Sequence, residues 1–499
     1  MLTSVLLALR LISPADSVLF RVLTVNDFHG SLEPRTYPWS KGRPVGGVAA
    51  LKSMMDQLEA DCSCPTVRLD AGDQMQGSLA SNLVFGRSSV EALGLLRLDA
   101  AAIGNHDLDW GHDTLQVRIS EAPYPWLAAN IFDSTTGRRP EWARPWAMVT
   151  KGPFRIAVIG YLTPQTKTIV MDRHVRGLHF RSGREAISDI VAEVKAARPD
   201  FTMLVAHEGA RCDSLGCVGA IVDLSRQFDS TTFDVMVAGH THTLVNTQDR
   251  GTAIVSAGSN GTNIGVVDLI QARDGSRRWS IRIETVYADW IRPDSAATAL
   301  VDRYRPLVDR VANRVIVELA DSLVGGRREF PLGNLIADAQ RAAAGADVSL
   351  MNNGGIRRSL LPGPVRYSDL FELQPFSNIV VSVTVTGKQL KAVLEHAVES
   401  GNPDYHVSGI TVRYDPRGRP GARILEIRKT GGARISATGR YRLALSDFLA
   451  GGGGGLTVVK QLRQRSTGMT DLEALINWLS TRPAPVRAPP GQRWIAISR

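Results

Sequence analysis

The sequence contains no apolar run long enough to cross a lipid bilayer, because a transmembrane helix needs about 20 consecutive apolar residues. It also lacks a long lysine or arginine block and the aromatic–basic alternation typical of proteins that bind single-stranded nucleic acid. Lys and Arg number 58 against 49 Asp and Glu, and the resulting net charge of +9 is diffuse. A basic excess attracts anions. We therefore expect a protein that has no transmembrane segment and binds no nucleic acid, and whose positive charge suits an anionic surface or a phosphorylated small molecule.

Cysteine is scarce, with four residues in a chain of 499. They form two close pairs, Cys62 with Cys64 and Cys212 with Cys217, and neither pair has zinc-ribbon spacing. This pattern argues against a metal site built on cysteine. Cys212 and Cys217 could close a small loop as a disulfide, which would agree with an oxidising compartment. A C-x-C pair is sterically awkward to bridge, so no disulfide is expected between Cys62 and Cys64.

The first 19 residues resemble a degraded signal peptide. The apolar stretch 5–9 is followed by Ser13-Pro14-Ala15, which could precede a cleavage site, but Arg10 interrupts the apolar core and no basic residue leads it. An unstructured extension or a misassigned start is the alternative. We favour a signal and expect a periplasmic or extracellular protein, with the cytoplasm as the other option.

The chain is too long for one hydrophobic core, so two or three domains are expected. Across residues 20–292, apolar β-branched runs alternate with helical patterns such as 48–59 and 183–197. This alternation predicts a layered α/β domain. A helix predicted within 293–314 links it to residues 315–499, whose strands and helices follow a different order and predict an α+β domain.

Polar side chains follow most of the strands predicted in the first half. In layered α/β sheets, ligands collect at one set of strand ends, so we expect these side chains to lie together. Histidines are the clearest sign, because five of the ten fall just past apolar runs. The candidate metal ligands are Asp27, His29, Asp73, Asn105, His207, His240 and His242.

Carboxylate, imidazole and amide ligands suit divalent ions such as Zn, Mn, Fe, Co or Mg. The candidates are too many for one tetrahedral ion, and they suit two divalent metal ions about 3.5–4 Å apart with one carboxylate bridging. Asp73, which follows a strand and Gly72, is the predicted bridge. Two such ions can generate a metal-bound hydroxide that attacks phosphorus, and can clamp the phosphoryl oxygens.

His106 then has no metal to bind. Asp109, three residues on, could hold one ring nitrogen of His106 so that the other faces the substrate. Such a pair stabilises charge on phosphoryl oxygens or protonates a leaving group. Asp109 could instead cap a turn, and Asp107 competes for the same catalytic role.

These residues form motifs that resemble a known family. The blocks Asp27-x-His29, Gly72-Asp73, Gly104-Asn105-His106-Asp107, His207 and Gly239-His240-x-His242 are similar to those of the calcineurin-like metallophosphoesterases. The blocks Leu332-Gly333-Asn334-Leu335, Asn352-Asn353-Gly354-Gly355-Ile356-Arg357 and Gln374-Pro375-Phe376-Ser377-Asn378 resemble the C-terminal domain of the 5′-nucleotidase family. The resemblance runs from about Phe20 to Trp494. It implies a two-domain α/β fold, with a four-layer α/β/β/α metallophosphoesterase sandwich joined by a linker helix to an α+β substrate-binding domain.

The resemblance also implies a role for each residue. One ion would be held by Asp27, His29 and His242, the other by Asn105, His207 and His240, with Asp73 bridging and with His106 and Asp109 as the catalytic dyad. In the substrate pocket, Arg357 would grip phosphate, Asn352 and Asn378 would bind polar groups, and Phe376 and Phe448 would sandwich a base. The family also has an arginine before the Leu-Gly-Asn block, and Arg327 and its neighbour Arg328 are the candidates for it.

The implied function is that of a two-metal phosphohydrolase that removes phosphate from 5′-nucleotides or related small phosphate esters. One departure leaves the substrate open, because Gly454 stands where relatives carry a ribose-binding aspartate. The alternatives are a nucleotide-sugar diphosphate or 2′,3′-cyclic nucleotide hydrolase, and a catalytically inactive binding or surface protein. The sequence leaves the oligomeric state open.

Overall fold

The computed structural model describes residues 17–272, 274 and 276–497. The signal-like pattern falls almost wholly on residues 1–16, outside the described residues, and the first strand, β1, already begins at Ser17. Within the described part of the chain, no helix combines the length and apolar character needed to span a bilayer.

The N-terminal domain is built from two large sheets and the helices that cover them. Its strands are β1 (Ser17–Val25), β2 (Arg35–Thr36), β3 (Pro44–Val45), β4 (Thr66–Asp70), β5 (Ala100–Ala102), β6 (Trp126–Leu127), β7 (Ile131–Asp133), β8 (Trp146–Lys151), β9 (Phe154–Leu162), β10 (Leu178–Phe180), β11 (Phe201–His207), β12 (Arg211–Asp213), β13 (Gly216–Val218), β14 (Val235–Ala238), β15 (Leu244–Asp249), β16 (Thr252–Ala257), β17 (Asn263–Gln271) and β18 (Arg277–Thr285). Its helices are α1 (Val48–Ala60), α2 (Leu79–Asn82), α3 (Arg87–Leu95), α4 (His112–Glu121), α5 (Thr166–Ile169), α6 (Ser188–Ala196) and α7 (Ala220–Arg226).

The two sheets each have six strands, in the orders β18-β17-β1-β4-β5-β6 and β15-β16-β14-β11-β9-β8. They pack face to face through one apolar cluster that contains residues of both, such as Val22 and Val205. Strand β1 is apolar on both faces, because Leu23 and Val25 point to a second cluster beneath α1 and α3. Helices α6 and α7 cover the other sheet. The order of layers is therefore α/β/β/α.

The central strands β1, β4, β5 and β6 run parallel, as do β9, β11, β14 and β16. Their carboxyl ends consequently meet at one edge of the sandwich, which is where the site lies.

Two expectations about this domain are corrected. The helical pattern over 183–197 yields an α-helix only from Ser188, because 184–186 form a 3-10 turn and Ile187, at φ −130°, lies outside the helical region. Cys62 and Cys64 are joined by a disulfide, as are Cys212 and Cys217. The chain turns after α1 and brings the Cα atoms of Cys62 and Cys64 within 5.1 Å, inside the range that a disulfide spans.

Helix α8 (Ser295–Ala312) joins the domains. Asp294 sets its start, because the side chain accepts a hydrogen bond from the Ala297 N–H at 2.9 Å. The apolar residues Ala297, Leu300 and Val301 pack into the cluster under α1 and α3, which fixes the helix to the first domain.

The C-terminal domain contains β19 (Val315–Leu319), β20 (Val348–Asn352), β21 (Gly363–Arg366), β22 (Ile379–Thr386), β23 (Tyr405–Ser408), β24 (Ile410–Tyr414), β25 (Ile424–Lys429), β26 (Arg440–Ser446), β27 (Arg465–Thr470) and β28 (Trp494–Ala496). Its helices are α9 (Pro331–Ala343), α10 (Tyr367–Leu373), α11 (Gly387–Ala397), α12 (Asp447–Ala450) and α13 (Asp471–Ser480). A five-stranded sheet, β23-β20-β26-β22-β27, lies between a cluster with α9 and α13 and a cluster with α11. The domain is α+β.

Candidate metal centre and substrate pocket

The candidate ligands lie on the loops that follow β1, β4, β5 and β14 and at the last residue of β11, His207. The backbone is left-handed at Asp27 (φ 50°), His29 (50°), Asp73 (56°), His240 (72°) and His242 (53°). Residues other than glycine seldom adopt this conformation, and each instance costs about 1–3 kcal/mol and tends to occur at functional sites. The surrounding fold therefore holds these side chains at a cost in stability.

Gly104 lets two of these loops approach each other. A Cβ atom at this position would lie 2.1 Å from the Asp73 backbone nitrogen and 2.2 Å from Asp73 Oδ1. Any side chain at 104 would consequently displace Asp73. Only glycine allows Asp73 and Asn105 to share one site.

The first group of ligands consists of Asp27, His29 and His242, whose donor atoms lie together. His29 Nε2 is 3.0 Å from His242 Nε2, and His242 Nε2 is 3.3 Å from Asp27 Oδ1. One cation could be held between these three side chains.

The second group consists of Asp27, Asp73 and His207. Asp73 Oδ2 lies 3.0 Å from His207 Nε2 and 3.8 Å from His29 Nε2, and Asp27 belongs to both groups. Among the described residues, Asn105 Oδ1 is buried without a hydrogen-bond partner, and His207 Nε2 makes no aligned hydrogen bond although Asp73 Oδ2 lies nearby. An unpaired buried polar atom costs about 1–3 kcal/mol, and a divalent cation satisfies both atoms, so the residues fit such an ion. The His240 ring lies 5.2 Å from that of His207, centroid to centroid.

The other ring nitrogens of the two most buried histidines of the ligand cluster, His29 and His207, face backbone carbonyls. His29 Nδ1 lies 2.6 Å from the Gln76 carbonyl oxygen, and His207 Nδ1 lies 2.8 Å from that of Ala71. Donation from Nδ1 to these oxygens leaves Nε2 as the ligand atom. Neither carbonyl is predicted from the sequence, although both belong to the same loop as Asp73.

Burial and neighbouring charges together determine the protonation of this cluster. Burial lowers the pKa of His29 to about 3 and that of His240 to about 4, so both rings are neutral near pH 7, the form that binds metal. Burial alone would raise the pKa of Asp73, but His207 and His106 hold it well below its ordinary value. Burial opposes charge on His207 as well, yet Asp73 raises its pKa to about 10. The neighbouring carboxylates thus stabilise a positive charge at His207.

His106 and Asp109 form a pair beside the cluster. His106 Nδ1 lies 2.7 Å from Asp109 Oδ2, and the His106 backbone N–H donates to Asp73 Oδ1 at 2.7 Å. Burial by itself lowers the pKa of His106, but Asp109 and Asp73 raise it above the ordinary value. The free Nε2 atom is available to a substrate, because the ring lines the cavity between the domains.

That interdomain cavity has a volume of about 250 Å³. Most of the candidate ligands line the cavity from the N-terminal domain, together with His106 and Asp109. The C-terminal domain contributes Asn352, Arg357, Phe376, Asn378 and Phe448. The Phe376 ring stacks on His106 with centroids 5.4 Å apart. The arrangement can bind an anion at the ligand cluster and a flat apolar group beside it.

Arg327 does not belong to this cavity. It is exposed on the segment before α9 and lines none of the described cavities. Arg173 and His174 of the N-terminal domain line the interdomain cavity instead. No pattern in the sequence marks these two residues, because they follow a short helix whose placement depends on packing against the Gly453–Gly455 turn.

Gly454 lines the same cavity in a left-handed conformation, φ 62°. A Cβ atom at this position would lie 2.9 Å from Tyr405 Oη, and the Gly454 carbonyl oxygen lies 3.0 Å from His396 Nε2. The backbone and its neighbours are thus arranged for glycine, and an aspartate would be strained here.

Comparison with known proteins agrees with this geometry. Residues 315–461 match the family model described as 5′-nucleotidase, C-terminal domain. The chain is 28% identical over 513 residues to a 5′-nucleotidase of Vibrio cholerae, covering 92% of this chain and 89% of the relative. It is also 28% identical to the endonuclease YhcR of Bacillus subtilis over 96% of this chain, but it spans 41% of that protein's length.

The solved structure of a 5′-nucleotidase precursor from Thermus thermophilus superposes with a TM-score of 0.85 at 26% identity, covering 96% of this chain and 99% of that one. The superposition includes both domains. Residues 315–461 therefore carry the C-terminal domain of the 5′-nucleotidase family, and the chain is similar over both domains to 5′-nucleotidases, which are metal-dependent phosphoric ester hydrolases.

Proposed function

We propose that this protein is a two-metal phosphohydrolase that releases phosphate from nucleoside 5′-monophosphates and related monoesters. The observation that carries the proposal is the cluster of Asp27, Asp73, His29, His207 and His242, with the buried Asn105 Oδ1 lacking a partner among the described residues, beside a histidine–carboxylate pair. A binding protein would gain nothing from holding so many strained, buried ligands.

In this proposal Asp27, His29 and His242 hold one divalent ion, Asn105, His207 and His240 hold the other, and Asp73 bridges them. When bound, such ions activate water and neutralise charge on the phosphoryl group. Arg357 lies beside the cluster, and its guanidinium can bind phosphoryl oxygens in bidentate fashion. His106, protonated at Nε2, donates that proton to the leaving oxygen while Asp109 holds Nδ1.

The flat part of the substrate would lie between Phe376 and Phe448, with Asn352 and Asn378 contacting its polar groups. Base–aromatic stacking tolerates any base, so little base selectivity is expected. The two disulfides support a location outside the cytoplasm.

The test is phosphate release from a panel of nucleoside monophosphates by chelated protein reconstituted with Mn, Zn, Mg or Co, together with metal analysis. We expect activity only after reconstitution and about two ions per chain. His106→Ala should lower kcat by about 100-fold or more with metals still bound. His112→Ala, six residues away and partly exposed, is the matched control and should keep activity.

Fewer than about one ion per chain after reconstitution, with no turnover, would favour an inactive binding protein. Full activity in His106→Ala would remove the dyad from the mechanism.

The glycine at position 454 supports a second candidate function, the hydrolysis of nucleotide-sugar diphosphates or 2′,3′-cyclic nucleotides. Without a carboxylate at this position the ribose hydroxyls lose an anchor, so AMP and dAMP should be cleaved with similar kcat/KM. Because Tyr405 Oη blocks a new Cβ, the restoring change is Gly454→Asp combined with Tyr405→Phe. If AMP and dAMP already differ by more than about tenfold in the wild type, the role given to Gly454 is wrong.

A further inference from the structure

The excess of positive charge, expected from the sequence to be diffuse, is concentrated in one stretch of the C-terminal domain. Residues 411–442 contain nine Arg and Lys but two Asp and Glu, so this stretch contributes +7 of the net charge of +9. It forms most of the hairpin of β24 and β25, the loop after the hairpin and the start of β26. The net charge of the protein therefore belongs mainly to one part of one domain.

Three of these arginines surround a single carboxylate at the three-stranded sheet β25-β24-β28. Glu426 lies 2.8 Å from Arg428, 2.7 Å from Arg434 and 3.7 Å from Arg413. One carboxylate cannot balance three guanidinium groups, so positive charge remains. The arginine side chains are 42–75% exposed and that of Glu426 is 14% exposed, so the remaining charge faces the solvent.

Two large apolar side chains are exposed on the same sheet. Leu425, on β25, is 54% exposed, and Ile495, on β28, is 41% exposed and pairs with Arg413. Successive residues of a strand point to opposite faces, so Val412 and Trp494 enter the core while Arg413 and Ile495 lie on the outer face. The arginine face is defined as Arg413, Leu425, Glu426, Arg428, Arg434 and Ile495.

The chemistry of the arginine face suits a lipid surface with anionic headgroups. Guanidinium groups bind phosphate oxygens, each Arg or Lys near such a surface strengthens binding, and exposed aliphatic side chains add apolar area that the headgroup region can bury. Single-stranded nucleic acid fits less well, because it is held by stacking on exposed aromatic rings. The nearby rings of Tyr414, Tyr441 and Trp494 are packed in the core instead.

We propose that the arginine face docks this protein on an anionic lipid surface. The interdomain cavity is lined by other residues, so substitutions on the face should leave phosphate release in solution unchanged. The inference goes beyond the proposed phosphohydrolase function and stands independently of it.

Co-sedimentation of the full chain with lipid vesicles tests the docking. The neutral probe is phosphatidylcholine vesicles, and the anionic probe is the same vesicles with about one-third phosphatidylglycerol. We expect binding to the anionic vesicles alone, and weaker binding when NaCl is raised from about 0.1 M to about 0.5 M, because salt shortens the Debye length. Equal binding to both kinds of vesicle, or binding to neither, would overturn the inference.

Arg413→Gln combined with Arg428→Gln removes two charges from the arginine face and should weaken binding to the anionic vesicles by about tenfold or more. The matched control is Arg138→Gln combined with Arg144→Gln, which removes the same charge from exposed positions of the N-terminal domain. The control should bind within about twofold of the wild type. An equal loss in both double variants would overturn the inference, because net charge and not this face would then drive binding.

Leu425→Ser combined with Ile495→Ser keeps every charge and should weaken vesicle binding by about threefold or more. Thermal unfolding checks that each variant is folded. If the double arginine variant is not, Arg434→Gln replaces it, because that side chain is 75% exposed and its loss should still weaken binding about threefold or more. Tighter binding to a single-stranded DNA oligonucleotide than to the anionic vesicles, lost in the same variants, would assign the face to nucleic acid and overturn the proposal.

Discussion

Asp107 and Asp109 lie two residues apart and make different contacts. Asp107 accepts hydrogen bonds from the backbone N–H groups of Asp73, Gln74, Met75 and Gly104, at 2.8–3.1 Å. Burial raises its pKa to about 7. It holds the Asp73 loop against the Gly104 loop, and it leaves Asp109 to orient His106.

Asp109→Asn tests that division of roles. The variant should lower kcat by about 10- to 100-fold, because an amide orients the imidazole less well and cannot balance its charge. Asp109 raises the pKa of His106. Since the proposed mechanism uses the protonated ring, the alkaline limb of the kcat–pH profile should move to lower pH in the variant.

Asp113→Asn is the control for this profile, because the Asp113 side chain is 95% exposed and close in sequence. An unchanged alkaline limb in Asp109→Asn would show that Asp109 does not set the pKa of the catalytic group.

Asp471 carries a pH-dependent cost in stability. Burial raises its pKa to about 7 from 3.8, even though Asn378 Nδ2 donates to Asp471 Oδ2 at 3.1 Å. When folding raises the pKa of a carboxyl group, the group contributes stability that is fully present below the pKa of the unfolded state. That contribution is lost as pH rises from about 4 through about 7. Asp471→Asn should therefore stabilise the protein by about 1–4 kcal/mol above pH 7 and much less at pH 4.

Denaturant unfolding of wild type and variant at several pH values measures this difference. Asp61→Asn, on an exposed residue after α1, provides the control and should show little difference at any pH. A difference between wild type and Asp471→Asn that does not change with pH would contradict the assignment.

At the scale of single elements, the hairpin β12–β13 supports the loop that carries His240 and His242. The disulfide between Cys212 and Cys217 closes the hairpin. The Ala210 carbonyl at its base accepts hydrogen bonds from the hydroxyls of Thr241 and Thr243, which flank His242. The hairpin thus helps to fix a ligand loop whose backbone is left-handed.

Replacing Cys212 and Cys217 with serine should weaken metal binding by up to about tenfold, less than the loss of a direct hydrogen-bond partner of a ligand. The measurement is metal affinity by competition with a chelator. The double replacement of Cys62 and Cys64, whose disulfide lies after α1, is the matched control and should leave the affinity unchanged. Equal effects in both variants would exclude a specific role for the hairpin.

At the scale of the whole molecule, the two domains meet at the loop that carries Phe376. The Pro375 carbonyl accepts hydrogen bonds from Gln76 Nε2 at 3.3 Å and from Asn82 Nδ2 at 3.1 Å. The Gln76 backbone carbonyl also faces His29 Nδ1. One residue of the first domain therefore contacts both a metal-ligand candidate and the substrate-pocket loop of the second.

Gln76→Ala keeps the backbone carbonyl and removes only the contact with Pro375. We expect KM for a nucleotide to rise about 3- to 10-fold with kcat nearly unchanged, since about 0.5–1.5 kcal/mol of positioning is lost. Hydrogen exchange of residues 374–378 should become faster. Gln116→Ala on α4, whose amide contacts His112, is the control. An unchanged KM in Gln76→Ala would show that the contact between Gln76 and Pro375 does not position the substrate.

The sequence by itself determined the α/β layering and pointed to the polar strand ends. Apolar runs such as 20–25 specify buried strands locally, and parallel strands bring their carboxyl ends to one edge whatever their order. The motif resemblance then gave each polar residue a role. None of this required knowledge of how the domains pack.

Tertiary structure alone decided the features that depend on distant segments. The motif resemblance already favoured Asp109 over Asp107, but only the structure shows that Asp107 instead accepts hydrogen bonds from the N–H groups of the Asp73 loop. The exclusion of Arg327 and the inclusion of Arg173 both depend on how the two domains pack together. Such contacts join residues far apart in the chain, and no local pattern of hydrophobicity or charge encodes them.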